Sequence, residues 1–238
     1  MAAQPRWFQA LNDALSLPEN KGKIVYQLAT TDLHNIPRVR SLQHRDFLIP
    51  KGLPSVPIIL TTTDIRTPKV PQLLSTPTVE VVWWLDGTQE QFRITGKATV
   101  IPSREHPLHR TIDIPHDSAL AVLNSEGEES SPGKYDWEKK RREVFDSMNS
   151  LRPVWARPPP GTVLESYDDA KAWPVTLPKL AEAETEEDKK NLEIAISNFA
   201  LLLIEPTVVD WVQLGVKPDR RTKFTKEGQE WTEQILVP

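Results

Sequence analysis

The sequence of 238 residues contains no cysteine. Disulfide bonds, thiolate nucleophiles and cysteine-ligated zinc sites are therefore excluded together. Glycine is also scarce, with 9 residues against 22 prolines, and neither a G-x-G-x-x-G nor a Walker sequence occurs. A nucleotide-binding fold built on a glycine-rich loop is thus disfavoured, whereas many prolines suit a β protein with numerous loop corners.

Long apolar runs and an excess of basic charge are missing too. No stretch of roughly 18 apolar residues occurs, so no membrane span is expected. The net charge is −4 and the pI is about 5.8, which disfavours a nucleic-acid-binding module because such modules carry a concentrated basic face. The N-terminal residues lack the apolar core of a secretory signal, so no such signal is expected. The absence of cysteine makes the cytoplasm the expected location.

The N-terminal part of the chain has mainly β periodicity after one amphipathic helix at 6–17. A second, short helix is expected near Thr67, with Thr67 as its cap and Pro68 at its first position. Antiparallel strands with one inserted helix favour a small barrel or sandwich. The expected strands are 24–31, 38–44, 58–63, 78–85 and about 91–101.

The middle of the chain is more helical and more polar. Residues of about 103–152 are expected to be a helical middle, and the proline-rich stretch 152–161 is expected to be irregular. The polar stretch of about 166–191 is interpreted as a surface insertion or a short charged helix. The polar stretch is not interpreted as a domain boundary.

The last fifty or so residues return to β periodicity. Two strands, 198–204 and 208–214, are expected to pair across Glu205-Pro206, and a hairpin is expected about Gly228. These strands are too few to form a stable sheet alone. The sequence therefore predicts one domain, residues 1–238, that is mainly β with α additions.

Two arginines share one face of a predicted strand. Arg38 and Arg40 are two residues apart, so their side chains point to the same side. Two guanidinium groups on one face can bind an anion by bidentate pairing. The alternative is a surface strand edge that is protected from aggregation by its charge.

A strand-to-helix turn follows at Thr61–Thr63, Thr67 and Lys69. It offers hydroxyl groups, backbone N–H groups and one cation, which together suit a phosphate. Lys69 in the first turn of a helix would oppose the helix dipole, and a bound anion would remove this conflict. The alternative is ordinary β-propensity followed by a helix cap.

Other polar residues carry weaker signals. Gln91 begins a strand on its polar face, where its amide suits the edge of a ring such as a flavin pyrimidine or is simply solvated. Arg220 and Arg221 can contact an anion, a subunit partner or a carboxylate of their own hairpin. His106 and His109 lie three apart, but no carboxylate stands at a spacing that supports a metal site.

Taken in order, these segments resemble the pyridoxamine 5′-phosphate oxidase-like FMN-binding split barrels, in particular the branch described only as FMN-binding. Residues 62–69 stand where that family has its Y-T-N/D-x-x-S-x-K turn, and residues 90–98 resemble its R-Q-V-R-V-x-G-x-A strand. Residues 37–40 resemble its opening, and residues 199–238 resemble its C-terminal segment with the W-x-x-x-x-L-x-P ending. The matches span most of the chain, and the resemblance implies a split β-barrel.

The resemblance also implies FMN at the two-fold interface of a homodimer. Phosphate contacts would come from the two strand arginines and from the turn, and ring contacts from the strand backbone. Gln91 and Arg221 would reach the flavin from the other subunit. The implied cofactor-binding residues are Arg38, Val39, Arg40, Ser41, Leu42, Gln43, Thr62, Thr63, Thr67, Lys69, Gln91 and Arg221.

The sequence departs from the family at substrate-contacting positions. Gln43 stands where pyridoxamine 5′-phosphate oxidases have a lysine that helps hold the substrate phosphate, and Lys217-Pro218-Asp219 replaces an Arg-x-His. The prediction is therefore an FMN-binding flavoprotein and oxidoreductase of unknown substrate and unassigned catalytic residues, with vitamin B6 oxidation disfavoured. The alternatives are a non-catalytic FMN-binding protein and a flavin-free interaction protein on the same fold.

Overall fold

The computed structural model describes residues 4–112, 114–116, 118–126 and 135–238. Its strands form one antiparallel sheet in the order β2-β1-β5-β6-β7-β4-β3, with β8 paired to β7 and β9 to β8. The strands are β1 (Val25–Thr31), β2 (Pro37–Gln43), β3 (Asp46–Leu48), β4 (Ile58–Asp64), β5 (Thr78–Leu85), β6 (Glu90–Ile101), β7 (Phe199–Gln213), β8 (Arg220–Glu227) and β9 (Glu230–Leu236).

The helices lie before the sheet, between β4 and β5, and in the segment between β6 and β7. Short 3₁₀ turns accompany them at Pro18–Asn20, Pro107–Thr111, Asn149–Ala156, Tyr167–Ala172 and Leu180–Glu182. The α-helices are α1 (Arg6–Ser16), α2 (Lys69–Ser75), α3 (Ala119–Ser125), α4 (Trp137–Asp146) and α5 (Glu186–Asn198). Among the helices of the described residues, none is both long and apolar enough to cross a membrane.

The sheet curls so that β2 approaches β4. The hydroxyl of Thr61 donates a hydrogen bond of 2.7 Å to the carbonyl of Gln43, and the N–H of Arg45 donates one of 2.9 Å to the carbonyl of Leu60. The concave face encloses one apolar core, which α1 covers with Trp7, Phe8 and Leu11. A second core lies on the other side of β4 and β7, beneath α3, α4 and α5.

Strand β7 is a single strand and not the predicted pair of strands. The prediction of a turn at Glu205-Pro206 is wrong, because Pro206 lies within the strand opposite Gly96 of β6. The register between β6 and β7 shifts between Thr95 and Gly96, and such an irregularity accommodates a residue without an N–H group. One long strand can therefore pair with β4 along its first half and with β8 along its second.

Gly96 is required at this irregularity by close packing. A Cβ atom at this position would lie 2.6 Å from the carbonyl oxygen of Glu205 and 2.9 Å from Cγ2 of Ile204. We expect Gly96→Ala to lower the free energy of unfolding by about 2 kcal/mol, since backbone must move to admit the methyl group. Urea unfolding of the variant measures this loss, and an unchanged unfolding midpoint would contradict it.

Several local predictions need correction. Strand β3 lies within the predicted loop 45–57, because three residues there pair with β4. The helical middle is less helical than expected and includes residues 127–134, which lie outside the described residues. The proline-rich stretch begins inside a 3₁₀ turn, whose geometry tolerates Pro153. In the polar stretch, α5 starts at Glu186 and buries Leu192 and Ala195.

Candidate functional site

A polar depression of about 590 Å³ lies where β2 passes the turn that follows β4. Strand β2 contributes its first half, and α2 contributes its N-terminal turn. Four of the predicted phosphate contacts meet here, together with residues that the sequence did not single out. The lining residues are Asp32, Arg38, Val39, Arg40, Thr67, Pro68, Lys69 and Gln72.

Lys69 is a largely buried cation whose ammonium group donates a hydrogen bond of 3.1 Å to the hydroxyl of Thr67. Burial, reinforced by the nearby charge of Arg40, lowers the pKa of Lys69 from its usual 10.5 to about 8. Asp64 opposes this effect, but both oxygens of its carboxylate are bound by Arg66 at 2.9 and 2.6 Å. Lys69 therefore lies beside a second cation without a carboxylate of its own.

Arg40 is half-buried and is held by uncharged acceptors. Its guanidinium group donates to the carbonyl of Leu28 at 3.2 Å, the hydroxyl of Thr30 at 2.6 Å and the side-chain oxygen of Gln72 at 3.1 Å. No ion pair of Arg40 occurs within the part of the chain that the structure describes. Burial lowers its pKa, yet a guanidinium stays protonated in proteins. Its positive charge is therefore not compensated by any of the described residues.

Arg38 differs from Arg40 because it has a carboxylate partner. Its guanidinium donates to Asp32 at 3.0 and 2.9 Å. The other oxygen of Asp32 accepts from the backbone N–H groups of His34 and Ile36, and these hydrogen bonds together with Arg38 lower the pKa of Asp32. Asp32 is thus ionised at neutral pH and neutralises Arg38.

The threonines of the turn are arranged differently from the prediction. Thr67 does not cap α2: the helix begins at Lys69, Pro68 occupies the capping position, and no side chain caps it. The hydroxyl of Thr67 instead donates to the carbonyl of Asp64 at 2.8 Å and lies 3.3 Å from the hydroxyl of Thr63. This chain of hydroxyls extends from the strand end to the ammonium group of Lys69.

The structure separates Gln91 and Arg221 from this depression. Residues paired across strands share a face of the sheet, and Arg40 pairs with Leu28 on the buried face. Gln91 pairs with Trp84 and Val212, and Val212 pairs with Arg221, on the opposite face. Strand β6 also lies three strands from β2, which is about 14 Å. The two groups cannot surround one ligand within a single chain.

Arg221 has an intramolecular partner on that outer face. It donates to Asp210 at 3.0 and 2.8 Å, and Arg93 pairs with the same carboxylate. Burial would raise the pKa of Asp210, but the two arginines outweigh this effect and hold it below its usual value. Two arginines on one carboxylate leave a net positive charge at the outer face.

The remaining predicted contacts lie on the strands that flank the depression. Ser41 points outward from β2 on the same face as Gln27, while Leu42 packs against the first core. Gln43 contributes its carbonyl to the contact with β4. Thr62 is buried in β4 next to Thr63. None of these four residues is among those that line the depression.

Sequence reasoning missed Asp32, Gln72 and Thr30, which arrange the arginines of the depression. Gln72 follows Lys69 by three residues and therefore lies on the same face of α2, and this spacing was the available signal. No comparable pattern marks Asp32 or Thr30. Within the described residues, no group of three or more His, Asp or Glu side chains could hold a metal ion.

The arrangement fits the phosphate of a flavin mononucleotide. Arg38, Arg40 and Lys69 bring three positive charges and Asp32 one negative charge, while a phosphate monoester carries about −1.5 to −2 at pH 7. The two cations without a carboxylate partner are those that burial and mutual repulsion destabilise most, so a dianion between them relieves both effects. The hydroxyl of Thr67, which lines the depression, adds hydrogen-bonding capacity, whereas the predicted contact Thr63 is 3% exposed and is not among the lining residues.

The pKa of Lys69 predicts a pH dependence for this site. Free protein loses the Lys69 proton near pH 8, whereas a bound dianion keeps the ammonium charged, so binding takes up a proton above that pH. The affinity for FMN should therefore fall by about tenfold between pH 7 and pH 9. Fluorescence titration measures it, with riboflavin, which lacks the phosphate, as a control that stays constant. A parallel decline for riboflavin would contradict the assignment.

The sequence of this chain is similar to those of known flavin-binding and vitamin B6-related proteins. The family model of the pyridoxamine 5′-phosphate oxidase FMN-binding domain matches residues 4–102. Pyridoxine/pyridoxamine 5′-phosphate oxidase 2 of Arabidopsis thaliana is 24% identical over 241 residues, which cover 98% of this chain and 96% of that protein.

Solved structures are similar over the whole chain. A pyridoxamine 5′-phosphate oxidase-related, FMN-binding protein of Nostoc punctiforme is 23% identical with a TM-score of 0.68, and each chain is covered completely. PhzG from Burkholderia lata, in complex with tetrahydrophenazine-1-carboxylic acid, is 13% identical with a TM-score of 0.60, covering 100% of this chain and 94% of PhzG. The solved structures confirm the predicted fold, and the matched family model, that of an FMN-binding domain, confirms the resemblance and its FMN cofactor.

Proposed function

Because residues 4–102 match the family model of the pyridoxamine 5′-phosphate oxidase FMN-binding domain, we propose that the protein is an FMN-dependent oxidoreductase acting on a small molecule. The observation that carries the proposal is the pair Arg40 and Lys69, two partly buried cations for which the described residues provide no carboxylate partner. When bound, FMN supplies the redox chemistry. The chain supplies the site in which the flavin is held.

The residues of the depression have distinct roles in this proposal. Arg40 and Lys69 bind the phosphate through charge-assisted hydrogen bonds, which are roughly twice as strong as neutral ones. Thr67 accepts a hydrogen bond from Lys69 and thereby keeps the ammonium group at the turn. Arg38 adds a weaker contact because Asp32 already neutralises it. The backbone of Ser41 to Gln43 and of Thr62 is proposed to contact the ring.

A homodimer completes the proposed site. Gln91 and Arg221 lie on the face opposite Arg40, so they can contact a flavin only when it is bound by a second copy of the chain. That face exposes Trp84 to 41% beside the half-buried Val82 and Val212, which is consistent with an interface. Analytical ultracentrifugation tests this proposal: wild-type protein should sediment as a dimer and Trp84→Glu as a monomer. A monomeric wild type would contradict it.

The experiment that tests the function begins with the visible spectrum of the purified protein. Bound flavin, or saturable uptake of added FMN, is expected. Anaerobic addition of NADH or NADPH, followed by air, should then bleach and restore the flavin band. Pyridoxamine 5′-phosphate belongs in the substrate screen because of the Arabidopsis relative, although Gln43 disfavours it.

A cytoplasmic location, consistent with the cysteine-free sequence, is part of the same proposal.

The outcomes separate the candidate functions. Protein that binds FMN saturably but is reduced by neither nucleotide nor any screened substrate would favour the non-catalytic alternative. Colourless protein without saturable binding would overturn the whole proposal.

A further inference from the structure

The arginines near the depression are held in two different ways. Arg38 is paired with Asp32, and Arg66 is paired with Asp64 through two oxygens. Of these three arginines, Arg40 is the one whose acceptors among the described residues are all uncharged. It is also the arginine whose charge lowers the pKa of Lys69. The difference lies in the identity of one residue, because Gln72 stands where a glutamate would pair with Arg40.

Gln72, Thr30 and Arg40 form a closed hydrogen-bonded triangle. The hydroxyl of Thr30 donates to the side-chain oxygen of Gln72 at 2.7 Å and accepts from Arg40 at 2.6 Å. The same oxygen of Gln72 accepts from Arg40 at 3.1 Å. A guanidinium can only donate, so the hydroxyl of Thr30 must direct its own proton to Gln72. Each hydrogen-bonding direction in the triangle is thereby fixed.

Burial makes this triangle rigid. Thr30 is 3% exposed and Gln72 is 8% exposed, and they belong to two different elements, β1 and α2. The triangle therefore joins the strand β1, the edge strand β2 and the helix that carries Lys69. It also fixes the distance between the two cations, because Gln72 and Lys69 lie one turn apart on α2.

We propose that Gln72 and Thr30 are positioning residues that orient the guanidinium of Arg40 towards the phosphate of the ligand while leaving its charge uncompensated. The neutral amide is the essential feature, since a carboxylate in the same place would hold Arg40 equally well and cancel its charge. This inference rests on the proposed function, because it concerns the phosphate of the bound FMN.

The test exchanges the amide for a carboxylate of the same shape in the full-length protein. Gln72→Glu should weaken FMN binding by about 30-fold, the loss of one charge-assisted contact, and should leave riboflavin binding unchanged. Its melting temperature should equal or exceed that of the wild type, because a buried arginine gains an ion-pair partner. Gln9→Glu, an exposed position on α1, makes the same charge change and should bind FMN like the wild type.

Thr30 provides a second, independent variant. Thr30→Val removes the hydroxyl and keeps the shape, and it should weaken FMN binding by about fivefold, because Arg40 loses one of its acceptors but keeps Leu28 and Gln72. Thr30→Ser retains the hydroxyl and should restore the wild-type affinity. A residue that only supports the fold would affect FMN and riboflavin alike.

The possible results distinguish this inference from the function on which it rests. If wild-type protein shows no saturable FMN binding, the proposed function fails first. If the wild type binds FMN but Gln72→Glu binds it within twofold of the wild type, the role of Gln72 is overturned and FMN binding stands. An equal loss of FMN and riboflavin affinity in Gln72→Glu overturns it as well, because the effect is then not directed at the phosphate.

Discussion

The double variant Arg40→Met, Lys69→Met is expected to bind FMN about 10³-fold more weakly than the wild-type protein. Each side chain contributes a hydrogen bond to a charged group, worth about 1.5–3 kcal/mol, and their sum corresponds to roughly three orders of magnitude in the dissociation constant. Methionine preserves the apolar stem, so the fold should be retained. Fluorescence quenching of the flavin on titration with protein measures the affinity, and riboflavin reports the contribution of the ring alone.

Two single variants serve as matched controls for this prediction. Arg38→Met removes an arginine from the same strand and the same depression, but Asp32 already compensates its charge. Its effect on FMN affinity should therefore be smaller than that of the single replacements Arg40→Met and Lys69→Met. Lys97→Met removes an exposed lysine of β6 and should have no effect. Equal losses from Arg38→Met and Arg40→Met would contradict the view that the carboxylate partner decides which arginine binds the phosphate.

This contrast shows how far the sequence could predict the site. The spacing of Arg38 and Arg40 correctly placed both side chains on one face, and the turn at Thr67 and Lys69 was correctly brought beside them. What spacing could not distinguish is which arginine is neutralised, because Asp32 reaches Arg38 across a turn. Such partners depend on the tertiary structure, and so does the separation of Gln91 from the depression.

For the fold, local periodicity predicted the elements better than their junctions. The alternation in β5 and β6 is found as predicted, with Val81 and Ile94 buried opposite each other. The prediction that Pro206 ends a strand is wrong, because the register between β6 and β7 shifts at this point and admits the proline. Such a shift is visible only in the paired strands. Helix α5 was obscured because its exposed face is strongly charged and only Leu192 and Ala195 of it are buried.

A buried arginine of α4 connects this helix to α5 and to the sheet through hydrogen bonds. Arg141 is 1% exposed and donates to both oxygens of Glu138, at 3.0 and 2.6 Å. It also donates to the carbonyl of Phe199 at 3.0 Å and to the carbonyl of Ile196. One side chain thus joins α4 to the end of α5 and the start of β7, the strand that pairs with β4.

Arg141→Met should lower the free energy of unfolding by about 3–5 kcal/mol, as expected when one partner of a buried ion pair is removed. The variant leaves Glu138 without its buried partner and removes the hydrogen bonds that Arg141 donates to the carbonyls of Ile196 and Phe199. Arg142→Met is the matched control, because Arg142 binds the same carboxylate at 3.0 Å but is 53% exposed. Its loss should be below about 1 kcal/mol, and urea unfolding measures both.

A third variant separates the cost at the carboxylate of Glu138, which loses Arg141 and keeps Arg142, from the cost of the lost hydrogen bonds to the backbone. Suppose that Arg141→Met loses stability because the carboxylate of Glu138 has lost its buried partner. The double variant Arg141→Met, Glu138→Leu should then recover a large part of the lost free energy of unfolding. If the hydrogen bonds to Ile196 and Phe199 carry the stability, the double variant should be as unstable as the single one, since it lacks the same two hydrogen bonds. A loss in Arg142→Met as large as that in Arg141→Met would contradict both explanations, because burial would then not be what distinguishes the two arginines.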